Sequence, residues 1–436
     1  MTTKFAGFSK LDRLQRINYI VENSSITAGK MGSFEDYCAP EFEQQALFNA
    51  MIENYIGNFP IPMGIVPHML INGESFMVPF VTEESSVVAA ASKAAKYWAT
   101  RGGFRAVVAS MTKKGQVHFS WNGNPDRISK MFPEIRQKLF LATSELTKKM
   151  RQRGGGITKI QLLDKTSELP DYYQIDVSFE TADAMGANFI NSCLETIAAV
   201  LQQLPELNSG QNRVEIIMSI LSNYTPDCIV ICYVECPVNN LKEWHNELTG
   251  YALATKFKQA VDIANLDISR AVTHNKGILN GVDALLLATG NDWRATAASI
   301  HAYAAKDGKY RSLTTIQLTE ETFRYELKLP FAVGTVGGIT QIHPVVQTTM
   351  AILNYPDARK LMMIAAASGL ANNFSAIASL ITTGIQKGHM KMHLFNILNQ
   401  LQVNKTERER VISHFKRITV SYAAVEDFIT KIRGER

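Results

Sequence analysis

The sequence predicts an α+β protein of more than one domain, in which a unit of short strands interrupts a largely helical chain. Three observations carry this. Helical spacing gives way near residue 105 to alternating β-branched runs and returns near 240. The Gly-x-Gly-x-x-Gly turn of the doubly wound dinucleotide fold occurs nowhere, and Gly154-Gly155-Gly156 lacks the next glycine that turn requires. The composition is that of a globular protein: 436 residues, 46% hydrophobic and 19% charged, about two to three domains at ~150 residues each.

Residues 1–60 read as helical, with apolar positions at Leu11, Leu14, Ile17 and Ile20. Two strands follow, joined at Asn72-Gly73, a strong hairpin signal. An Ala-rich helix runs from Ser85 to Thr100 and stops at Arg101-Gly102-Gly103. The runs FRAVVASM, QVHFSW, KIQLLD and YYQIDVSFET then read as strands around one helix near 126–150. A helix over 185–204 keeps apolar spacing, and the strands RVEIIMSIL and 228–234 are expected to close the unit. From 240 to 384 the chain reads as long helices with Gly-rich turns, and amphipathic helices follow from about 385.

Charge and cysteine usage exclude several classes. Lys and Arg total 45 against 40 Asp and Glu, a net charge of +5 without a basic block. That balance speaks against nucleic acid and suits small anionic ligands. The apolar stretch at 361–371 falls short of the ~20 residues of a spanning helix, so no membrane segment is expected. The N-terminal MTTKFAGFSKLDRLQR has no apolar core, so no secretory signal is expected. Five cysteines imply a reducing, cytoplasmic setting rather than a disulfide framework. Cys228, Cys232 and Cys236 recur every four residues in a β-branched run, which places them on one face of a buried strand; no metal site is expected.

Four segments carry candidate chemistry. Asp183-Ala184-Met185-Gly186-Ala187-Asn188 joins a strand to a helix. Asp183 reads as a cap, and Gly186 lets an anion approach the free N–H groups of the first turn; a plain cap with a packing glycine is the alternative. Lys276 lies among apolar residues between turn signals at 275–277 and 280–281, with Asp283 and Asp292 as local acids. It is either a solvated loop lysine or a fixed ammonium for an oxyanion. Glu83 and Glu84 at a helix start either complement the dipole or hold a proton-donating acid. His389 and His393 share a helix face without a third ligand; one of them reads as a mobile proton donor.

Together these segments form a pattern. Glu53 to Gly64 (ENYIGNFPIPMG), PFVTEESSVV at 79–88, DAMGAN at 183–188, NKGILNG at 275–281, ATGNDWRA at 288–295 and Gly388-His389 occur in one order across about 47–393. The pattern resembles 3-hydroxy-3-methylglutaryl-coenzyme A (HMG-CoA) reductase, and the TEESS and DAMGAN wording without a membrane anchor resembles the soluble bacterial class II enzymes. The resemblance implies a large domain around a central helix, an inserted ferredoxin-like, non-Rossmann cofactor domain and a C-terminal helical flap. The limits implied are 1–112 and 228–384 for the large domain, 113–227 for the small NAD(P)-binding domain and 385–436 for the flap. It also implies a homodimer or higher even oligomer with active sites at the interface, and no nucleic-acid or membrane partner.

Residue by residue, the resemblance assigns catalysis to Glu84, Lys276, Asp292 and His389. Lys276 would stabilise the oxyanion, Asp292 would hold its charge, Glu84 would be the acid of the second reduction, and His389 would protonate the departing coenzyme A thiolate. Removing His389 is then expected to hurt thioester reduction more than mevaldehyde reduction. Ser86, Arg270 and Asn280 would bind substrate; Asp183, Met185, Gly186, Ala187, Asn188 and Asn223 would cradle the dinucleotide. NAD-preferring relatives carry an aspartate shortly before the Gly-Gly-Gly segment. Here the run is Thr147-Lys148-Lys149-Met150-Arg151-Gln152-Arg153, so NADPH is expected over NADH, with Lys148 among the cations meeting the 2′-phosphate and Glu145 as the counter-argument. The expected activity is reduction of HMG-CoA to mevalonate and free coenzyme A by two NAD(P)H, in isoprenoid biosynthesis. The alternatives are NAD-dependent mevalonate catabolism in reverse, another acyl-coenzyme A oxidoreductase, and a non-catalytic coenzyme A- or nucleotide-binding homologue.

Overall fold

The computed structural model describes residues 7–26, 28–35, 42–244, 248–382, 384, 394–395, 397–415, 418 and 420–434. His389, Gly388 and Cys38 lie outside these residues. Contacts divide the chain into two compact units, Met1–Pro62 and Met63–Arg436.

The first unit holds helices α1 (Arg13–Asn23), α2 (Ala28–Glu35) and α3 (Phe42–Met51). Asp12 and Gln15 cap α1 reciprocally: Asp12 Oδ1 accepts the Gln15 N–H at 2.9 Å, and Gln15 Oε1 accepts the Asp12 N–H at 3.0 Å. Ile17 is buried as its spacing predicts, but Leu14 faces outward at 64% exposure. In its place the aliphatic stem of Arg16 is buried, and its guanidinium donates to the Tyr55 carbonyl at 3.2 Å.

In the second unit, β1 (Met63–Ile71) and β2 (Glu74–Val81) form the expected hairpin. Asn72 and Gly73 both have positive φ, 51° and 87°, as a two-residue turn matching the strand twist requires. Helix α4 (Ser85–Ala99) packs on β1 and buries Ala91, Ala94, Ala95 and Trp98.

The inserted unit is built from β4 (Lys113–Trp121), α5 (Pro125–Ala142), α6 (Ser144–Gln152), β5 (Gly156–Asp164), β6 (Tyr172–Glu180), α7 (Ala187–Gln203) and β7 (Val214–Ser222). Its antiparallel sheet has the order β5-β6-β4-β7. A β-α-β-β-α-β chain in that order is the ferredoxin-like arrangement. Its core, from Val117 to Val214, is separate from the rest. The single helix read at 126–150 is two, broken at Thr143, whose hydroxyl bonds back to the Leu139 carbonyl at 3.0 Å.

Two further readings are corrected. β3 (Arg105–Val108) and β8 (Ile229–Pro237) do not belong to the inserted unit. They pair with β10 (Thr322–Pro330) and β9 (Thr314–Leu318) in a second sheet, β3-β8-β10-β9. β9 and β10 were read within a helical region. They are recovered only by pairing with a strand some 90 residues earlier, as in Tyr325↔Val234.

The large core surrounds α12 (Ala358–Leu380), which packs on α4, β8, β3 and α9 (Ile268–Ala288). α12 has 23 residues and is long and apolar enough to cross a membrane, but 89% of its apolar window is buried inside the protein. The stretch at 361–371 is thus part of a longer core helix, apolar on every side because protein surrounds it. The turn signals at 275–277 and 280–281 are also overridden, since both segments lie inside α9. A Cβ on Gly281 would stand 2.3 Å from the Ser368 carbonyl oxygen. That glycine lets two helix backbones touch. Helices α8 (Gly250–Leu266), α10 (Trp293–Ala304) and α11 (Pro344–Ile352) complete this part. A third apolar cluster, Leu394 to Ile432, includes the helices Lys405–His414 and Tyr422–Gly434.

Candidate active site

Glu84 occupies the N-cap position of α4 but makes no side-chain cap. Its carboxylate turns instead to α9, where Oε2 accepts from Lys276 Nζ at 3.0 Å, and Oε1 accepts from the Ser86 hydroxyl. A carboxylate at a helix start that is not spent on capping is available for proton transfer. Lys276 is 60% exposed and Glu84 37%, so the pair opens to solvent. It is a cluster for chemistry more than for stability. Asn280 follows Lys276 by one helical turn and shares its face.

Arg270 does not share that face. It lies on the side of His274, whose proton affinity burial and then the Arg270 charge push down to about 3, and of the buried Tyr325. Burial also lowers the proton affinity of the Arg270 guanidinium, and among the described residues no carboxylate forms an ion pair with it. A half-buried guanidinium without a counter-ion fits an anionic ligand.

Asp292 does not meet Lys276. It caps α10, with Oδ1 accepting the Ala295 N–H at 3.0 Å, and its ion pair is with Arg294 at 3.9 Å. Lys276 lies twelve residues before the end of α9, a rise of roughly 18 Å at 1.5 Å per residue. The same chain therefore holds two groups. Glu84, Ser86, Lys276 and Asn280 form one, and Asp292 belongs to the other.

The second group surrounds the turn at 181–186. Ala182 has φ 47° and Gly186 φ 91°. A Cβ on Gly186 would meet Thr181 Cγ2 at 2.5 Å, so only glycine fits. Asp183 does not cap α7, as its position before that helix suggests. Its Oδ1 accepts the Ala358 N–H at 2.9 Å, at the start of α12, and its carbonyl accepts the Thr335 N–H at 2.8 Å. Asn291, next to Asp292, accepts the Gly334 N–H at 2.8 Å. Between this turn and α10 lies a pocket lined by Lys113, Met185, Ala187, Asn223, Thr296 and Ser299, among others.

These residues fit a dinucleotide. The N-terminus of α7 has no side-chain cap and no acidic residue in its first turn, leaving N–H groups for an anion. Exposed Asn188 lies in that turn, and exposed Asn223 just beyond β7. Lys113 supplies a buried cation at the pocket wall. On the neighbouring edge, Lys148, Lys149 and Arg151 occupy α6. Gly155 beyond it packs so tightly that a Cβ would stand 2.4 Å from the Glu180 carbonyl oxygen. The glycine segment that follows the basic helix therefore abuts the residue before the turn at 181. Lys148 is 62% exposed and pairs loosely with Glu145 at 3.7 Å.

Two residues escaped the sequence reading. Lys113 opens a strand and belongs to none of the motifs read from the sequence, yet it is 2% exposed. Asp283, noted only as a local acid, lies two turns beyond Lys276 on the same face of α9; its Oδ1 is buried without a partner, and burial pushes its carboxyl up to about 7. Cys232 and Cys236 lie on one face of β8 and Cys228 immediately before it; all three are free and buried, with burial holding the thiols protonated. Among the described residues no group of His, Cys, Asp and Glu is arranged to hold a metal.

A ferredoxin-like sheet, an uncapped helix start with a buried ammonium, and a Lys–Glu pair at a second location define an oxidoreductase outside the Rossmann class. The hydroxymethylglutaryl-coenzyme A reductase family model matches residues 13–394. The 3-hydroxy-3-methylglutaryl-coenzyme A reductase of Archaeoglobus fulgidus is 31% identical over 94% of this chain and 90% of its own length. The probable enzyme of Borreliella burgdorferi is 31% identical over 100% of this chain and 96% of its own. Among solved structures, the Streptococcus pneumoniae reductase superposes with a TM-score of 0.73 at 32% identity, covering 98% of this chain and 100% of that one. A class II structure from the same organism, bound to NADPH in open conformations, gives 0.72 at 34% identity over 87% of this chain and 100% of that one. The chain belongs to the hydroxymethylglutaryl-coenzyme A reductase family.

Proposed function

We propose that the protein reduces HMG-CoA to mevalonate and free coenzyme A with NADPH, and that Lys276, Glu84, Asp292 and His389 carry the chemistry. The observation that carries this reading is the Lys276–Glu84 pair at 3.0 Å with Ser86 on the other carboxylate oxygen. Two molecules of NADPH, bound in turn and leaving as NADP+, would supply the two hydrides. As the first C–H bond forms, the thioester carbonyl becomes an oxyanion beside the Lys276 ammonium. The C–S bond of the resulting hemithioacetal breaks, and His389 gives its proton to the thiolate. In the second reduction Glu84, carrying a proton for that step, gives it to the developing alkoxide of mevaldehyde. Ser86 and Asn280 bind the substrate, and the uncompensated Arg270 takes its carboxylate.

Asp292 of the same chain cannot hold Lys276 across the length of α9, which supports a site completed by a second copy. Exposed apolar residues support this too. Ile268 and Val272 lead to Lys276 at four-residue spacing on one face of α9, and both are about half exposed. We assign the dinucleotide to the turn at 183–188 with Asn223, and preference for the 2′-phosphate to Lys148 and its basic neighbours. We assign domain limits at 1–112, 113–227, 228–384 and 385–436; the separate apolar clusters of the inserted unit and of Leu394 to Ile432 support the limits after residue 112, and the sequence supports a cytoplasmic setting.

The deciding experiment follows absorbance of the reduced nicotinamide with purified protein, HMG-CoA, and NADPH or NADH at equal concentration. Loss of absorbance that requires HMG-CoA and is faster with NADPH is expected. Failure to consume either nucleotide, with the reverse reaction silent as well, would overturn the reading in favour of a non-catalytic binder.

A further inference from the structure

Lys113 takes no part in the hydride and proton steps above. It opens β4 on the inserted unit and is 2% exposed, among the most buried charged residues of the protein. Lysines buried to this degree are normally paired with a carboxylate. Among the described residues none forms an ion pair with it. Its ammonium donates to the Thr181 hydroxyl and to the Ala184 carbonyl at 3.2 Å. The Thr181 hydroxyl in turn donates to the same carbonyl at 2.6 Å. An ammonium has three N–H donors, so two are accounted for.

Both acceptors belong to the turn that carries the strained Ala182 and leads to Gly186. The same lysine lines the pocket between that turn and α10. Burial lowers the proton affinity of the Lys113 ammonium, and Cys228, Glu180 and Asp183 at longer range partly offset this in favour of the charged form. The result is a fixed, desolvated cation with one donor unspent, at the wall of a pocket whose other polar linings are neutral.

We infer that Lys113 is a dinucleotide-binding residue: two of its N–H groups set the 181–186 turn, and the third donates to an acceptor oxygen of the bound dinucleotide. The inference rests on the dinucleotide reading above and names a contact within it. A cation already stripped of water loses little more on meeting the ligand, so its hydrogen bond adds nearly its full charge-assisted strength.

The test measures NADPH binding to the full-length protein by the emission of the reduced nicotinamide, together with the KM values for NADPH and HMG-CoA. Lys113→Met is expected to weaken NADPH binding by about tenfold or more, leaving the KM for HMG-CoA within about twofold. Lys113→Arg, which keeps the charge, is expected to recover part of the loss. A Lys113→Met protein that melts like wild type and binds NADPH equally well overturns the inference. If Lys113→Met does not fold, Lys113→Arg decides. A raised NADPH Kd with an unchanged HMG-CoA KM supports the contact, and two unchanged values overturn it. Wild-type protein that binds no NADPH overturns the dinucleotide reading itself, an outcome distinct from equal binding by both proteins.

Discussion

Asp183 and Ala358 are joined across 175 residues: the aspartate at the dinucleotide turn accepts the first N–H of the core helix α12 at 2.9 Å. Asp357 caps the same helix one step along, accepting the Lys360 N–H at 2.7 Å. Helix starts leave several N–H groups bare, and here two aspartates from distant segments share them. Asp183→Ala is expected to cost about 1 kcal/mol in chemical denaturation and to raise the KM for NADPH. Asp183→Asn keeps the acceptor and should retain most of the stability. Equal stability of the alanine variant and wild type would show that this bond does not hold the turn to the helix.

The separation of Lys276 from Asp292 bears on the assembly. Lys276→Ala and Asp292→Ala are each expected to lower kcat by about a hundredfold or more. If a second copy completes the site, a dimer containing one chain of each kind has one intact site and one doubly defective site. Random mixing of the two should then restore about a quarter of wild-type activity. The measurement is turnover of the co-expressed, co-purified pair. A mixture as inactive as its parents would place the whole site in one chain.

The contact between α9 and α12 makes opposite demands on two glycines one turn apart. A Cβ on Gly281 would meet the Ser368 carbonyl oxygen at 2.3 Å, whereas on Gly277 the nearest atom is the Asn373 side-chain nitrogen at 3.2 Å. Gly281→Ala is expected to destabilise by about 3 kcal/mol or to prevent folding. Gly277→Ala should fall within about 1 kcal/mol of wild type, because the helix propensity of alanine offsets mild crowding. Thermal melts of both variants check this; similar losses in both would contradict it.

Asp283 carries a pH dependence whose sign follows from burial. Its carboxyl is held up at about 7, above its ordinary value of 3.8. Between those values the folded protein keeps a proton that the unfolded chain releases, so this group lowers stability as pH rises through the window. Above pH 7 the cost is full and constant. Asp283→Asn is expected to stabilise the protein by roughly 2 to 4 kcal/mol at pH 8, with the gain shrinking towards pH 4. Denaturant titrations at the two pH values measure it, and a gain independent of pH would assign it to something other than this proton.

Much of the architecture was legible along the chain. The Asn72-Gly73 hairpin, the α4 helix with its stop at 101–103, and the strands β4, β5 and β6 follow from local spacing and turn chemistry. β9 and β10 were not legible, because a strand's stability comes from its partners: β10 pairs with β8 near residue 233, and β9 pairs with β10. Asn275 and Asn280 read as turn formers for the same reason in reverse. Packing against α12 outweighs their weak local preference. In the site, the motif residues were legible as types, but not the use of Glu84 as an unspent N-cap or of Asp183 as a cap for a distant helix.

The sequence by itself determined the periodicities, the glycine positions and the set of charged and polar side chains that can do this chemistry. Those depend on neighbours a few residues away, which the chain order states directly. Only the tertiary structure decided which charges meet. It brought Glu84 to Lys276 across 192 residues, kept Asp292 from Lys276 by the rigid length of a helix, and buried Lys113 beneath a turn 68 residues later. Such pairings depend on how the sheets and α12 pack, because the energy of a charge is set by what surrounds it in space.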